Sequence, residues 1–357
     1  MKRGVFSKKT RKVLGGAGVF ALLVLLLLVG FAGWSLFQPY SAFTGKVFVD
    51  IPKGTGTSAT ARMLEQAGVI RFNWQFPLVR GLNLHRKVQA GEYQFEKAAS
   101  AWDVFGRLAR GEIFYFYLSI PEGQTMFDIA DKIEALGQVS REDFLTVAND
   151  PSSIHDLAPE AASLEGYLFP STYRLAGHMT AAQICAQMTG QFRRQWRTLK
   201  TDGNVHKIVT LASVVEKETG RPDERNVVAG VYWNRLNKGM RLEADPTTIY
   251  AALLEGRYRG AIHKSDLKRD SLYNTYKHAG LPPGPIANPG LASLKATLAP
   301  AETNYLYFVA QPGGTGASTF SATLAAHQRA VAEYRHAKQQ KRSAQSMASK
   351  RTDAANH

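Results

Sequence analysis

Residues 48–68 read FVDIPKGTGTSATARMLEQAG, and residues 118–137 read LSIPEGQTMFDIADKIEALG. Both begin on alternating apolar residues, turn through Ile-Pro-x-Gly, and continue as an amphipathic helical pattern stopped by glycine. A second related pair follows, AGEYQF at 90–95 and EGYLFP at 165–170. A strand, a turn, a helix and a return strand form a small module that buries one helical face, so the spacing predicts an α+β fold. Two copies fall short of a solenoid, which needs about three or more. The repeat also disposes of a nucleotide site. Gly54-Thr-Gly56-Thr-Ser-Ala59 fits G-x-G-x-x-A, but the second copy, Gly123-Gln-Thr-Met-Phe-Asp128, keeps the turn and lacks the second glycine. What recurs is turn geometry, which requires no phosphate.

Around this repeat the chain has 357 residues, room for two or three domains at about 150 residues each. With 45% hydrophobic and 20% charged residues it is neither wholly disordered nor a polytopic membrane protein. The single cysteine, Cys185, excludes an intrachain disulfide and a thiolate-rich zinc site. The formal charge of +15 is concentrated at the ends: +6 over residues 1–12 and +4 over 333–357. A high pI of that origin does not point to nucleic acid, and no nucleic-acid partner is expected.

Residues 13–37 carry no charge and include GVFALLVLLLLVGFAGWSLF. About 20 apolar residues cross a bilayer, and backbone in lipid must bond to itself, so a transmembrane helix is expected. Trp34 and Tyr40 stand where interfacial aromatics anchor a span, and the preceding basic cluster predicts a cytoplasmic N-terminus. A cleaved signal peptide would have a shorter apolar core and an A-x-A-like site, which is lacking here. The expected organisation is a basic cytoplasmic segment at 1–12, a span at 13–37, a small α+β subdomain at 46–118, a larger α+β domain at 119–334, and a polar basic disordered tail at 335–357.

The nine histidines form no H-x-x-x-H or H-E-x-x-H pattern, so no metal or other cofactor is expected. Ser265-Asp-Leu-Lys268 matches S-x-x-K, but the companion K-T-G and any G-x-S-x-G are missing, which argues against a serine enzyme. The informative stretch is 205–220, VHKIVTLASVVEKETG. As a helix closed by Gly220 it carries an apolar face of Ile208, Leu211, Ala212 and Val215. At about 100° per residue, Glu218 sits on the rim of that face, Glu216 lies further round on the other side, and Lys217 lies roughly opposite. Glu218 is therefore the carboxylate better placed to enter a partly apolar cleft, where desolvation raises its pKa toward that of a neutral-pH general acid. A solvated Glu-Lys-Glu helix end is the ordinary alternative. Amides, hydroxyls and tyrosines between Pro/Gly loops follow it, a composition suited to carbohydrate.

Taken in order, EGYLFPSTY (165–173), LASVVEKETG (211–220), NRLNKGMRLEADPTTIYA (234–251), YNTY (273–276), GLPPGPIANPG (280–290), SLKATLAPAETNYLYFVA (293–310) and TFSATLAAHQRAV (319–331) resemble the endolytic murein transglycosylase family. The resemblance runs from the apolar segment to about Tyr334 and is densest over 205–331. It implies a single-pass inner-membrane protein with a periplasmic body, a LysM-like subdomain and a catalytic domain. It further implies cleavage of the β-1,4 bond between N-acetylmuramic acid and N-acetylglucosamine within glycan strands, leaving 1,6-anhydro ends and ending strand elongation. Peptidoglycan strands are the implied substrate, with synthases or division proteins as partners. The second glutamate of the E-K-E run, Glu218, maps onto the catalytic acid. Asn274, Tyr276 and Asp245 are expected to position substrate. Glu165 and Tyr167 are carried as further substrate-binding residues, Glu165 also as a possible second carboxylate. A non-catalytic glycan-binding scaffold is the alternative reading, and a muramidase using water as nucleophile a further one.

Overall fold

Gly54 and Gly123, at the two Ile-Pro-x-Gly turns, have φ of +86° and +75°. Gly68 and Gly137, which stop the two helical patterns, have φ of +70° and +68°. All four adopt the left-handed backbone that glycine enters without penalty, and this is the physical content of the repeat. The computed structural model describes residues 8–177, 179–312 and 316–355. Its helices and short antiparallel strand pairs make a mixed α+β protein. The chain divides into two compact units, one running to Phe116 and including 174–177, the other formed by most of the remainder.

The first unit opens with α1 (Lys8–Phe37), then β1 (Val47–Ile51), α2 (Thr57–Gln66), α3 (Gln75–Leu82), β2 (Gly91–Phe95) and α4 (Ala101–Arg110). Within α1, Val19–Phe37 has mean hydropathy 2.5 and is long and apolar enough to cross a membrane. Positions 1–7 of the expected cytoplasmic segment lie outside the described residues. Strands β1 and β2 pair antiparallel, Val49 opposite Tyr93. Alternation sends Val49, Ile51, Tyr93 and Phe95 inward, where they meet Leu64, Phe76, Val79, Val104, Phe105 and Leu108. Ser100 caps α4 by accepting from Asp103 N–H, and Gly111 ends it at φ +67°.

The chain passes into the second unit along β3 (Tyr115–Ile120), which pairs with β4 (Ser171–Ala176). The EGYLFP element was expected as a strand, but pairing starts one residue after it. Gly166 turns the chain at φ +87°, and Pro170, which has no N–H to donate, ends the irregular stretch. Between the strands lie α5 (Met126–Ala135), started by a Thr125–Asp128 capping box, and α6 (Arg141–Ala148). Next come α7 (Ala181–Thr198), α8 (Val205–Glu218), α9 (Arg225–Asn237), α10 (Asp245–Leu254), α11 (Lys264–Lys268) and α12 (Leu291–Leu298). The hairpin β5 (Tyr307–Ala310) and β6 (Ser318–Ser321) and the helix α13 (Leu324–Ala355) complete the unit.

Two expectations need correcting. The tail was expected to be disordered from 335, yet α13 is helical to Ala355. Its Ala, Lys, Arg and Gln content carries high intrinsic helix propensity, which a search for an apolar face ignores. Positions 356–357 lie outside the described residues. Helix α8 was expected to bury one face, but Val209, Thr210, Ser213 and Val214 are buried along with Leu211, Ala212 and Val215, while Ile208 is only partly so. It is a central helix, surrounded by α9, α10 and α12.

Candidate active site

Helix α8 stops at Glu218 and not at Gly220. Thr219 is extended, and its hydroxyl accepts from Arg221 N–H at 3.1 Å, closing a local turn that competes with another helical turn. Glu218 therefore stands on the last helical residue, with its side chain in a cavity of about 250 Å³. The cavity is lined by Glu218, Tyr232 and Arg235 from the α8–α9 pair, by Leu242, Glu243 and Asp245 at the start of α10, and by Tyr276, Phe308 and His327.

Burial pushes the Glu218 carboxyl up to about 7. A hydrogen bond from Tyr232 opposes the rise, the negative charge of Asp245 adds to it, and the Arg235 guanidinium pulls back. A carboxyl balanced there is half protonated near neutral pH, so it can give a proton and take one back. Asp245 and Glu243 are exposed, unlike Glu218. Tyr276 donates to Asp245 Oδ1 at 2.6 Å, so the YNTY and ADPTT motifs meet at the cavity rim. Thr275 joins them below, its hydroxyl accepting from Ala244 N–H at 3.0 Å and bonding Thr247 at 2.9 Å.

The two glutamates of the E-K-E run have separate fates. Glu216 is held by Arg225 at 3.5 Å and accepts from Gly290 N–H at 3.0 Å. Lys217 donates to the Gly123 carbonyl at 3.1 Å. Both therefore fasten the helix end to the Ile-Pro-x-Gly and Asn-Pro-Gly loops, leaving Glu218 free to face the cavity.

Three residues expected to bind substrate do not line this cavity. Asn274 is fully buried, and its amide donates to the carbonyls of Asp266, Leu267 and Arg269 at 3.3, 3.2 and 2.6 Å. Its Oδ1 accepts from Tyr276 N–H at 3.0 Å, so it shapes the loop that delivers Tyr276 and does not reach the cavity. Glu165 is also buried away from the cavity. It accepts from Met126 N–H at 2.9 Å and from Asn288 at 2.8 Å, and burial raises its carboxyl to about 8. It ties the start of α5 to the 280–290 loop. Tyr167 is buried against Phe192 and bonds His206 at 2.8 Å. Side chains of these types satisfy an interior as readily as they bind sugar, and local spacing does not distinguish the two.

Tyr232, Arg235, Glu243 and His327 lie within or beside the sequence motifs, but nothing in their local spacing marks them as cavity residues. Arg235 donates to the carbonyls of Leu306 at 2.6 Å and Leu242 at 2.8 Å, and its guanidinium lies over Tyr307 at 5.1 Å. Glu243 has φ +51°, a strained value for a residue with a side chain, and reaches Arg235 at 3.4 Å. His327 stacks on Tyr307, and burial holds its pKa below the usual histidine value. Among the described residues, no group of three or more His, Cys, Asp or Glu side chains is placed to hold a metal ion.

Comparison with known proteins points one way. Residues 49–333 match the YceG-like family. An endolytic murein transglycosylase of Bacillus subtilis is 33% identical over 340 residues, covering 88% of this chain and 93% of the relative. One from Streptococcus pneumoniae is 30% identical, covering 90% of this chain and 66% of the relative. The crystal structure of a YceG-like protein from Listeria monocytogenes superposes with a TM-score of 0.52 at 34% identity, over 80% of this chain and 99% of that one. With the match spanning both units and every motif around the cavity, the chain belongs to the YceG-like family.

Proposed function

We propose that this protein is an endolytic murein transglycosylase that cuts the β-1,4 bond between N-acetylmuramic acid and N-acetylglucosamine inside peptidoglycan strands. The observation that carries this reading is Glu218, the cavity carboxyl withdrawn from water and balanced near neutral pH. Protonated Glu218 gives its proton to the glycosidic oxygen as the C1–O bond breaks. As carboxylate it then takes the proton from the muramoyl C6 hydroxyl while that oxygen bonds to C1. The products are a free 4-hydroxyl on the departing sugar and a 1,6-anhydro end, and Glu218 is again protonated. One carboxyl suffices because the nucleophile is part of the substrate, whereas hydrolases position a water with a second carboxylate. Tyr232 orients the Glu218 carboxyl, and Asp245 with Tyr276 forms a polar rim for sugar hydroxyls.

In this reading α1 anchors the protein with its N-terminus in the cytoplasm and its body in the periplasm. The β1-α2-α3-β2 module is LysM-like and holds glycan. Cutting nascent strands ends their elongation, which places synthases or division proteins beside it. The test is mass spectrometry of products from purified glycan strands, using the full chain in detergent and its Glu218→Gln variant. Internal fragments with 1,6-anhydro ends, lost in the variant, are the expected result. Reducing ends would make water the nucleophile, and Asp245, not the buried Glu165, would be the carboxylate to examine. Glycan binding without cleavage would leave a non-catalytic scaffold.

A further inference from the structure

Helix α3 packs Gln75, Phe76 and Val79 into the first unit and leaves its other side uncovered. There Trp74, Leu78 and Leu82 are 37%, 40% and 64% exposed, and Leu84 just beyond is 71% exposed. Residues four apart drift by only about 40° around a helix, so the first three form one stripe. Phe72 extends it by stacking on Trp74, ring centres 6.0 Å apart. A continuous apolar stripe is not left open to water without a reason. Over residues 66–91 the chain carries Arg71, Arg80, Arg86 and Lys87 and no acidic residue. Arg71, Arg86 and Lys87 are exposed beside the stripe.

The stripe's height is set by α1. The Gln75 side chain donates to the Ser35 carbonyl at 2.8 Å and to its hydroxyl at 2.6 Å, and this contact is buried. Ser35 lies two residues inside the end of the apolar span at Phe37, about 3 Å along the helix axis. Leu36 is 4% exposed, Phe37 stacks on Trp102 at 5.3 Å, and Tyr40 bonds Ala99 in both directions. The last turn of the span is thus part of the unit, with no spacer. The first turn of α3 starts where the span leaves the hydrocarbon, within the layer about 5–10 Å deep that amphipathic helices occupy.

We propose that α3 and residues 83–87 lie in the headgroup layer of the bilayer that α1 crosses, with Trp74, Leu78, Leu82 and Leu84 at the acyl boundary and the flanking cations against anionic phospholipid phosphates. This rests on α1 being a membrane span, itself part of the proposed function. A lipid surface is favoured over a protein partner because the stripe begins beside the last turns of the span, where Phe72 and Gln75 share a cavity with Phe31 and Trp34, and because exposed cations edge it.

The test is site-directed spin labelling of the full chain in vesicles of phosphatidylcholine and phosphatidylglycerol. The native Cys185 is buried, so introduced cysteines are labelled selectively. Labels go on Leu78→Cys and Leu82→Cys, on Leu26→Cys in the middle of the span, and on Ser58→Cys at the far end of α2 from Gly68, whose carbonyl bonds Ala42. The expected result is that 78 and 82 gain collision with oxygen and lose collision with a water-soluble nickel chelate, while 58 does the reverse. If 26 is lipid-immersed but 78 and 82 meet the chelate as freely as 58, the proposal is overturned. Labels at 78 and 82 shielded from both relaxants would mean that protein covers the stripe, which overturns it equally. A label at 26 that meets the chelate would refute the span itself, and the proposal with it.

Discussion

Replacing Tyr232 with Phe removes one hydroxyl from the cavity and little else. The ring is 2% exposed and packed between α8 and β5, so the hydrocarbon contacts survive. What is lost is the hydrogen bond that favours ionised Glu218. A hydrogen bond to a charged group contributes about 1.5–3 kcal/mol net. One pKa unit corresponds to about 1.4 kcal/mol, so the Glu218 pKa rises by about one to two units. In the proposed mechanism the free enzyme starts with Glu218 protonated, so kcat/KM is expected to fall as pH rises through that pKa. The alkaline limb, expected near 7 in the unaltered protein, therefore moves to about 8–9 in Tyr232→Phe. Asp245→Asn supplies the opposite sign. Its negative charge raises the Glu218 pKa, so removing it moves the limb to lower pH. The assay is kcat/KM against pH on a defined glycan oligomer, with product ends checked at each pH. Limbs that stay put in both variants, or move in the same direction, would refute the assignment of Glu218 as the titrating acid.

Other consequences concern stability. Glu218 is raised from 4.5 to about 7 by folding, so its contribution is fully favourable below pH 4.5 and is lost as pH rises through 7. Glu218→Gln should therefore resist urea better than the unaltered chain at pH 8.5, by about 1–3 kcal/mol after allowing for the open side of the cavity, and equally at pH 4. An equal gain at both pH values would show that the carboxyl is not strained by burial. Glu165→Ala leaves Met126 N–H and one N–H of the Asn288 amide unpaired in the interior, the other still donating to the Gln124 carbonyl. A loss of about 2–4 kcal/mol is expected in urea titrations, with the alkaline limb and the anhydro ends unchanged. Altered product chemistry would return Glu165 to the reaction. Gly166→Ala puts a methyl 2.5 Å from Pro285 and 2.8 Å from Val209 at φ +87°. It should cost about 2–4 kcal/mol by the same measurement, and a neutral result would mean that the 280–290 loop yields easily.

The sequence by itself determined what depends on near neighbours. The Ile-Pro-x-Gly repeat, the apolar span within α1 and the helical angle separating Glu218 from Glu216 are matters of spacing over a few residues, and each is visible in the backbone or at the cavity. Even there, the last part of α13 is helical but carries no apolar-face pattern, because intrinsic propensity sustains a helix without one. Tertiary structure alone decided which polar side chains line the cavity and which hold the interior. Glu165 finds Asn288 across 123 positions, and Lys217 finds the Gly123 carbonyl across 94. Asn274 spends its amide on three loop carbonyls, while Tyr232 and Arg235, unremarkable in their own helix, meet Glu218 in the cavity. The physical reason is that an amide, a hydroxyl or a carboxyl has the same bonding capacity in a core as at a sugar. Its role follows from which partners the folded chain brings within about 3 Å, and periodicity along the chain carries no record of them.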